Sequence, residues 1–169
     1  MKPGVLHYVD TGFRAVTPVV LAFLMLVISR LPFGIEGLET AMPLLTLIAC
    51  YYWTIYRPNL MPSIALFFLG VLQDLVTGGP LGLMALVLLL VHWLVDAQRR
   101  VFLGKSFVVG WWGFGLIALG AEVVIWVLAS IYYDQLLVVR PFAFQFMLTV
   151  AIYPCFAWLF SLVQRAIVK

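Results

Sequence analysis

Six long apolar runs, separated by short polar breaks, constrain the fold of this chain more than any other feature. Strands of a membrane barrel would alternate apolar and polar residues, whereas these runs are apolar at successive positions. Because only helices and closed barrels satisfy the backbone in lipid, the runs predict membrane helices. Charged residues make up 10% of the chain, against about 25% in soluble domains. The sequence therefore predicts an all-α integral membrane protein.

The apolar runs end at turn-forming residues, which give each predicted helix its limits. Proline disfavours the α conformation of the preceding residue, and Arg57-Pro58 ends the second run in this way. Residues 1–12 are predicted to be a short polar arm. The whole chain, 1–169, is predicted to be a single transmembrane domain with helices over about residues 13–31, 41–56, 61–76, 81–95, 107–133 and 142–163.

The second, third and fourth predicted helices are short for membrane spans. A helix of about 15 residues is roughly 23 Å long, less than the ~30 Å hydrocarbon core. We therefore expect these helices to be flanked by protein or to thin the bilayer locally. In the alternative, helices 3 and 4 form one re-entrant hairpin, which leaves four full spans and the same sidedness at both ends.

The distribution of Lys and Arg predicts the orientation, because cytoplasmic loops are enriched in these residues. With six spans, the N-terminal arm, the 57–60 and 96–106 loops and the C-terminus share one side. Eight of the ten basic residues lie on that side, and only Arg30 and Arg140 lie on the other. Both termini are therefore predicted to be cytoplasmic.

The segment Gln73–Gly82 interrupts the apolar sequence most sharply. Gly78 and Gly79 supply backbone freedom, since glycine tolerates positive φ without steric cost. Pro80 suits the first position of a new helix, where its missing N–H is not needed. The segment predicts a helix end, a tight turn and a helix start at the membrane boundary.

Asp74 is the charged residue of this segment, and two roles are consistent with its position. In the first, it is an interfacial carboxylate that contacts water and caps helix 4 through a nearby N–H. In the second, it makes a specific contact with a partner or with an arginine, for which Arg30 and Arg140 are the candidates.

Glu122 lies near the middle of predicted helix 5, with no basic residue within one turn. An ionisable residue at such depth is costly and indicates a functional site. Three interpretations are open: a protonated side chain that is hydrogen-bonded between helices, for example to Gln145, a polar anchor for a partner helix, or a proton or substrate site.

Three weaker signals complete the set. The spacing of His92 and Asp96 allows them to pair on one helix face. The Arg57-Pro58 turn is either a positively charged membrane anchor or a docking point for a cytoplasmic protein. Small residues let membrane helices approach closely, so the first half of helix 5 is predicted to present a packing face made of Gly110, Gly113, Gly115 and Gly120.

The chain contains no motif for catalysis, a metal or a cofactor. It has no H-E-x-x-H, no G-x-S-x-G, no Walker loop and no dinucleotide fingerprint. Cys50 and Cys155 each lie within an apolar run and are interpreted as small core residues. The net charge of +3 is too small and too scattered to predict nucleic-acid binding. We therefore expect a protein that is not an enzyme.

Two blocks of sequence resemble the bacterial rod shape-determining protein MreD family. The first is the aromatic-rich stretch Tyr52–Pro58, which ends in Arg-Pro. The second is Gly70–Gly82, in which G-x-x-x-D-L is followed by a small polar residue, glycine and P-L-G. Both blocks match the family in residue type, order and spacing, and the resemblance covers roughly residues 51–90.

The resemblance implies a non-enzymatic scaffold of the cell-elongation machinery in the bacterial inner membrane, with no cofactor. Such a protein binds the membrane-anchored MreC. It acts with MreB on the cytoplasmic side, with the glycosyltransferase RodA and with a class B penicillin-binding transpeptidase in lateral peptidoglycan synthesis.

The family is also distantly similar to the six-helix substrate-binding subunits of energy-coupling-factor transporters. This similarity implies a fold of that kind and an alternative function, a small-solute-binding subunit of a transporter. Glu122 has no role that the family resemblance implies. The candidate partner-contact or structural residues are Arg57, Pro58, Gln73, Asp74, Gly78, Pro80, Gly82 and Glu122.

Overall fold

The computed structural model of the chain describes residues 5–29, 42–102 and 104–167, with side chains for 16–29, 42–100 and 104–166. These residues form six α-helices and one 3-10 turn, and they contain no strand. The predicted all-helical class is therefore confirmed for the described ranges. The helices are α1 (Val5–Ile28), α2 (Leu45–Tyr56), α3 (Ser63–Thr77), α4 (Leu83–Phe102), α5 (Phe107–Tyr132) and α6 (Val139–Ile167), and the 3-10 turn is Pro58–Leu60.

Two helices extend into segments that were predicted to be polar arms or loops. α1 begins at Val5, inside the predicted arm, because the single Gly12 is not enough to end a helix. α4 continues to Phe102, through much of the predicted 96–106 loop, since Ala, Gln and Arg are good helix formers. α4 has 20 residues, which corresponds to about 30 Å, so the expectation of a short fourth helix was wrong.

Prolines set the starts of the two short helices. α2 begins at Leu45, after Pro43, and α3 begins at Ser63, after Pro62. The ψ angle of Pro62 is 146°, which is extended rather than helical. The predicted end of helix 1 at residue 31, the predicted start of helix 2 at residue 41 and the side chain of Arg30 lie outside the described residues.

α2 lies at the centre of the bundle, and all its residues from Leu45 to Ile55 are buried. It contacts α1, α4 and α6. Its 12 residues correspond to only about 18 Å of helix. The expectation that this short helix is flanked by protein is therefore confirmed, and α2 has almost no surface left for lipid.

Three aromatic rings fix α2 against α5 and α6. Phe114 of α5 stacks on Tyr153 of α6, with ring centroids 4.3 Å apart. The ring of Tyr51 meets both of them edge-on, a favoured arrangement for aromatic pairs. The Tyr51 hydroxyl also donates a hydrogen bond to the carbonyl oxygen of Gly110 at 2.9 Å.

A tryptophan in α5 replaces the hydrogen-bond donor that a proline in α6 lacks. Pro154 has no N–H, so the carbonyl of Val150, four residues earlier, lacks its helical donor. The indole Nε1 of Trp111 donates to that carbonyl oxygen at 3.0 Å. The contact satisfies a backbone group that lipid cannot satisfy, and it joins α5 to α6.

Successive helices run in alternate directions. The last described residue of the first segment, Ser29, lies with the start of α2, the α3–α4 turn and the α5–α6 turn around a single cavity. We call this end of the bundle the Asp74 end. At the opposite end, which we call the Arg57 end, the Tyr52 hydroxyl of α2 donates to Gln164 Oε1 of α6 at 2.9 Å.

Two of the helices, Phe107–Tyr132 and Val139–Ala166, are long and apolar enough to cross a membrane. Three shorter apolar helical stretches are Val16–Ile28, Leu45–Tyr56 and Ser63–Thr77. The outer surface of α5 exposes large apolar side chains, including Trp112 and Leu116. Such a surface is compatible with lipid.

Candidate functional site

Asp74 caps helix α4 from the preceding helix. Its side chain is buried, with 3% of its surface exposed. Its Oδ2 accepts a hydrogen bond from the Gly82 N–H at 2.8 Å, and its Oδ1 accepts one from the Met84 N–H at 3.0 Å. The first N–H groups of a helix have no partner within the helix, and here the carboxylate supplies it. The expected capping role is observed.

The turn between α3 and α4 contains Gly78 in the conformation predicted for it, whereas Gly79 has no positive φ and Gly82 takes that role. Gly78 has a φ of 70°, and its N–H donates to the Asp74 carbonyl oxygen at 2.9 Å, which ends α3. Gly82 has a φ of 91°, a region that favours glycine. Pro80 precedes α4, which begins at Leu83, two residues later than predicted.

One glycine outside the predicted packing face makes the tightest helix contact. A Cβ atom on Gly70 of α3 would collide with the backbone of Ala85 and Met84 in α4. The close approach of these two backbones holds Asp74 within reach of the α4 N-terminus. Gly70 belongs to the second sequence block, but its spacing from Asp74 alone does not predict the contact.

α6 provides a second cap at the Asp74 end. The Leu44 N–H, just before α2, donates to Thr149 Oγ1 at 3.0 Å. Gln145 Nε2 donates to the Met42 carbonyl oxygen at 2.7 Å. Sequence reasoning missed this role, although the signal was present: Gln145 and Thr149 are four residues apart, on one face of the mostly apolar helix α6.

The two caps border a cavity of about 290 Å³. Gln73, Asp74, Tyr133 and Gln145 are among the polar residues that line it. Gln73 is buried, with 5% of its surface exposed, and its Oε1 has no hydrogen-bond partner in the structure. The cavity thus brings together the two predicted polar residues of α3 with Tyr133, which directly follows α5, and with Gln145 of α6.

Glu122 lies apart from this cavity, one helical turn before Ile125, which lines it. The Glu122 side chain is 4% exposed, and neither carboxyl oxygen has a hydrogen-bond partner among the described residues. Buried polar groups normally have partners. The expected bond from Gln145 was wrong, because the amide of that side chain donates to the chain before α2.

The Arg57-Pro58 corner lies at the opposite end of the bundle. The Arg57 N–H donates to the Trp53 carbonyl oxygen at 2.7 Å, and Pro58 begins the 3-10 turn. These contacts end α2 and turn the chain toward α3. The side chain of Arg57 is partly exposed.

His92 makes its hydrogen bond to another helix, and no hydrogen bond joins it to Asp96 among the described residues. His92 Nδ1 lies 2.9 Å from Thr54 Oγ1 of the central helix, in a hydrogen bond across the α2–α4 contact. Asp96 pairs instead with Arg99, at 3.5 Å on the same helix. The His92 imidazole is directed toward the buried Thr54 hydroxyl. The Asp96 carboxylate remains at the surface.

The predicted packing face of α5 was only partly correct. Gly113 is buried. A Cβ atom on Gly110, Gly115 or Gly120 would meet no atom within 4 Å in the structure. The Cβ positions of these three glycines therefore border open space, although the carbonyl oxygen of Gly110 accepts the hydrogen bond from Tyr51 of α2.

The fold and this site define a class of protein. In its described residues it is all-helical, with an apolar outer surface that is compatible with a membrane, and the segment Gln73–Gly82 caps and joins two helices. Among the residues that the structure describes, no group of three or more His, Cys, Asp or Glu could hold a metal ion.

Comparison with known families identifies the particular family. The family model for the rod shape-determining protein MreD matches residues 10–166, nearly the whole chain. The chain belongs to the MreD family. It is thus a membrane protein of the cell-shape machinery, with a role in determining rod shape, and this family is not a known family of enzymes. No match was found among curated proteins or among solved structures.

Proposed function

We propose that this protein is a non-enzymatic membrane adapter of the cell-elongation machinery. It binds the membrane-anchored MreC and supports lateral peptidoglycan synthesis by RodA and a class B penicillin-binding transpeptidase, with MreB on the cytoplasmic side. The observation that carries the proposal is the family match over residues 10–166. No nucleic acid and no cofactor take part.

The geometry supports an adapter, because the residues of the second sequence block build a helix junction. Gly78, Gly82 and the Asp74 carboxylate hold α3 against α4. The connections 57–62, 78–82 and 133–138 are too short to contain a folded domain. The function then consists of presenting helix faces and helix ends to partner proteins.

Three further residues are proposed as partner contacts. Glu122 is a polar anchor for a partner helix, which is supported by its burial without a hydrogen-bond partner in the described part of the chain. Arg57 and Pro58 form a docking point for a cytoplasmic component, which is supported by the partial exposure of the Arg57 side chain.

We propose that all six helices span the inner membrane as one domain, with both termini in the cytoplasm. The alternating helix directions support this arrangement. So does the charge, because basic residues favour the cytoplasmic side and the Arg57 end carries Arg57, Arg99, Arg100, Lys105 and Arg165. Reporter fusions after residues 36 and 104 should report opposite sides; the same side for both would reject this topology.

Copurification tests the adapter function. The full chain is tagged, coexpressed with the MreC of the same organism, and extracted in a mild detergent. We expect MreC to remain bound after washing, because helix packing and a few buried polar contacts hold membrane helices together. Loss of MreC under conditions in which this protein stays folded would reject the proposal.

One observation favours the alternative, a small-solute-binding subunit of a transporter with the fold of the energy-coupling-factor subunits. The cavity at the Asp74 end contains several polar groups. Its volume of about 290 Å³ is at the lower limit of small-molecule pockets, which span about 300–1,000 Å³. A bound small molecule in native mass spectrometry, without MreC, would favour this alternative.

A further inference from the structure

The Asp74 carboxylate keeps unused acceptor capacity in the cavity. An ionised carboxylate has about four lone-pair sites. Three backbone N–H groups, those of Gly82, Met84 and Ala85, approach it, and that of Met84 is shared between the two oxygens, at 3.0 and 3.2 Å. The Oε1 of Gln73 beside it is buried and has no partner among the described residues. Both residues line the cavity.

The hydrogen-bond donors around the cavity are, in contrast, largely engaged. Ser29 Oγ and Gln145 Nε2 each donate to a backbone carbonyl oxygen at 2.7 Å. Thr77 Oγ1 likewise donates to a backbone carbonyl oxygen of its own helix. All three residues line the cavity, so these three donors are already used within the fold.

The charge of the cavity is also one-sided. Asp74 is the one acidic residue among the described residues that line it, and no Lys, Arg or His is among them. A buried carboxylate without a counter-charge is unfavourable, and an opposite charge with N–H donors relieves that cost. The cavity therefore favours a cation that carries hydrogen-bond donors.

The size and the walls of the cavity indicate what kind of cation fits. A volume of about 290 Å³ suits one long side chain better than a whole solute, since small-molecule pockets begin near about 300 Å³. Apolar residues such as Leu83, Ile125 and Phe142 form much of the wall. Lys and Arg bury their apolar stems against such surfaces while the charged group reaches a polar one.

We propose that this cavity receives a Lys or Arg side chain of the membrane-anchored partner, whose ammonium or guanidinium group binds Asp74 and Gln73. The proposal rests on the adapter function proposed above. In this proposal, the part of the partner that lies at the Asp74 end of the bundle inserts the basic side chain into the cavity.

Photo-crosslinking tests the proposal on the full chain coexpressed with MreC. The photoreactive residue p-benzoyl-phenylalanine replaces Tyr133, which lines the cavity and is 48% exposed. We expect a crosslink to MreC within a few residues of a Lys or Arg. Replacing that basic residue with Gln should then abolish the crosslink.

A pair of matched substitutions tests the charge. Asp74→Asn keeps the size of the side chain and one capping oxygen, and it should lower the retention of MreC about tenfold or more, as expected when one member of a buried charge pair is lost. The control is Asp96→Asn, the same change at a residue that pairs with Arg99 far from the cavity. It should leave the retention unchanged.

The outcomes separate this proposal from the adapter function. If wild-type protein retains no MreC, both fail. The cavity proposal alone fails if MreC is retained but the crosslink lies far from any basic residue, or if Asp74→Asn retains MreC like wild type. It also fails if the crosslink maps to Arg30 or Arg140 of the same chain, or if native mass spectrometry finds a small cation in the cavity.

Discussion

Helices α3 and α5 each bury one carboxyl group, and the two groups have opposite surroundings. Asp74 of α3 accepts hydrogen bonds from the Gly82 and Met84 N–H groups. Glu122 of α5 is just as buried, but the described residues offer it no partner. The Asp74 carboxyl group caps a helix of the fold. The Glu122 carboxyl group has hydrogen-bonding capacity that the described residues do not use.

The glycines of the two helices differ in the same way. Gly70 of α3 lies against the backbone of α4, where even one added carbon would collide. Gly115 and Gly120 of α5 border open space. The contact between α3 and α4 therefore leaves no space at Gly70, while the outer face of α5 has room for a lipid or a partner helix.

The largest expected effect is at the α3–α4 contact. Gly70→Ala should lower the free energy of unfolding by about 3 kcal/mol, because the new Cβ would overlap backbone atoms that cannot move aside. Thermal unfolding in detergent measures the change. An unfolding temperature equal to that of wild type would mean that α3 and α4 are not in close contact.

The next effect is at the cap. Asp74→Ala removes the acceptor from two backbone N–H groups and should cost about 2 kcal/mol. Asp74→Asn, which keeps one oxygen, should cost roughly half as much. The same unfolding measurement tests both variants. Equal stability of Asp74→Ala and wild type would exclude a capping role.

A smaller effect of opposite sign is expected at the second carboxyl group. Glu122→Leu removes a buried polar group without a described partner and should raise the free energy of unfolding of the isolated protein by about 1 kcal/mol. If the variant is instead less stable than wild type, Glu122 has an internal partner, and the contrast with Asp74 disappears.

The smallest effect is expected on the outer face of α5. Gly115→Ala and Gly120→Ala should change the free energy of unfolding by less than about 0.5 kcal/mol, since surface changes away from contacts are nearly neutral. They are the matched controls for Gly70→Ala. A loss as large as that of Gly70→Ala would show that this face of α5 is packed in the isolated protein.

The helical class and the turn at Gln73–Gly82 could be predicted because both depend on local properties. Continuous apolar runs fix helices in lipid, and glycine and proline fix the turn. Helix ends in polar sequence were harder, as the extension of α4 to Phe102 illustrates. There the helix propensity of Gln and Arg outweighs their polarity.

Contacts between residues distant in sequence could not be predicted. His92 has Asp96 as its neighbour in sequence, but it bonds with Thr54 of another helix. The partner of Gln145 is a backbone carbonyl more than a hundred residues away along the chain. The spacing of residues along one helix shows which of them share a face. It does not show which other helix packs against that face.

The bond between Trp111 and the Val150 carbonyl has a consequence for biosynthesis. If α6 entered the bilayer alone, the carbonyl that Pro154 leaves without a donor would meet only hydrocarbon. α5 is synthesised before α6, so its indole is already available when α6 leaves the ribosome. With the topology proposed above, α5 and α6 should therefore enter the membrane as a hairpin, with the tryptophan in place before the proline is buried.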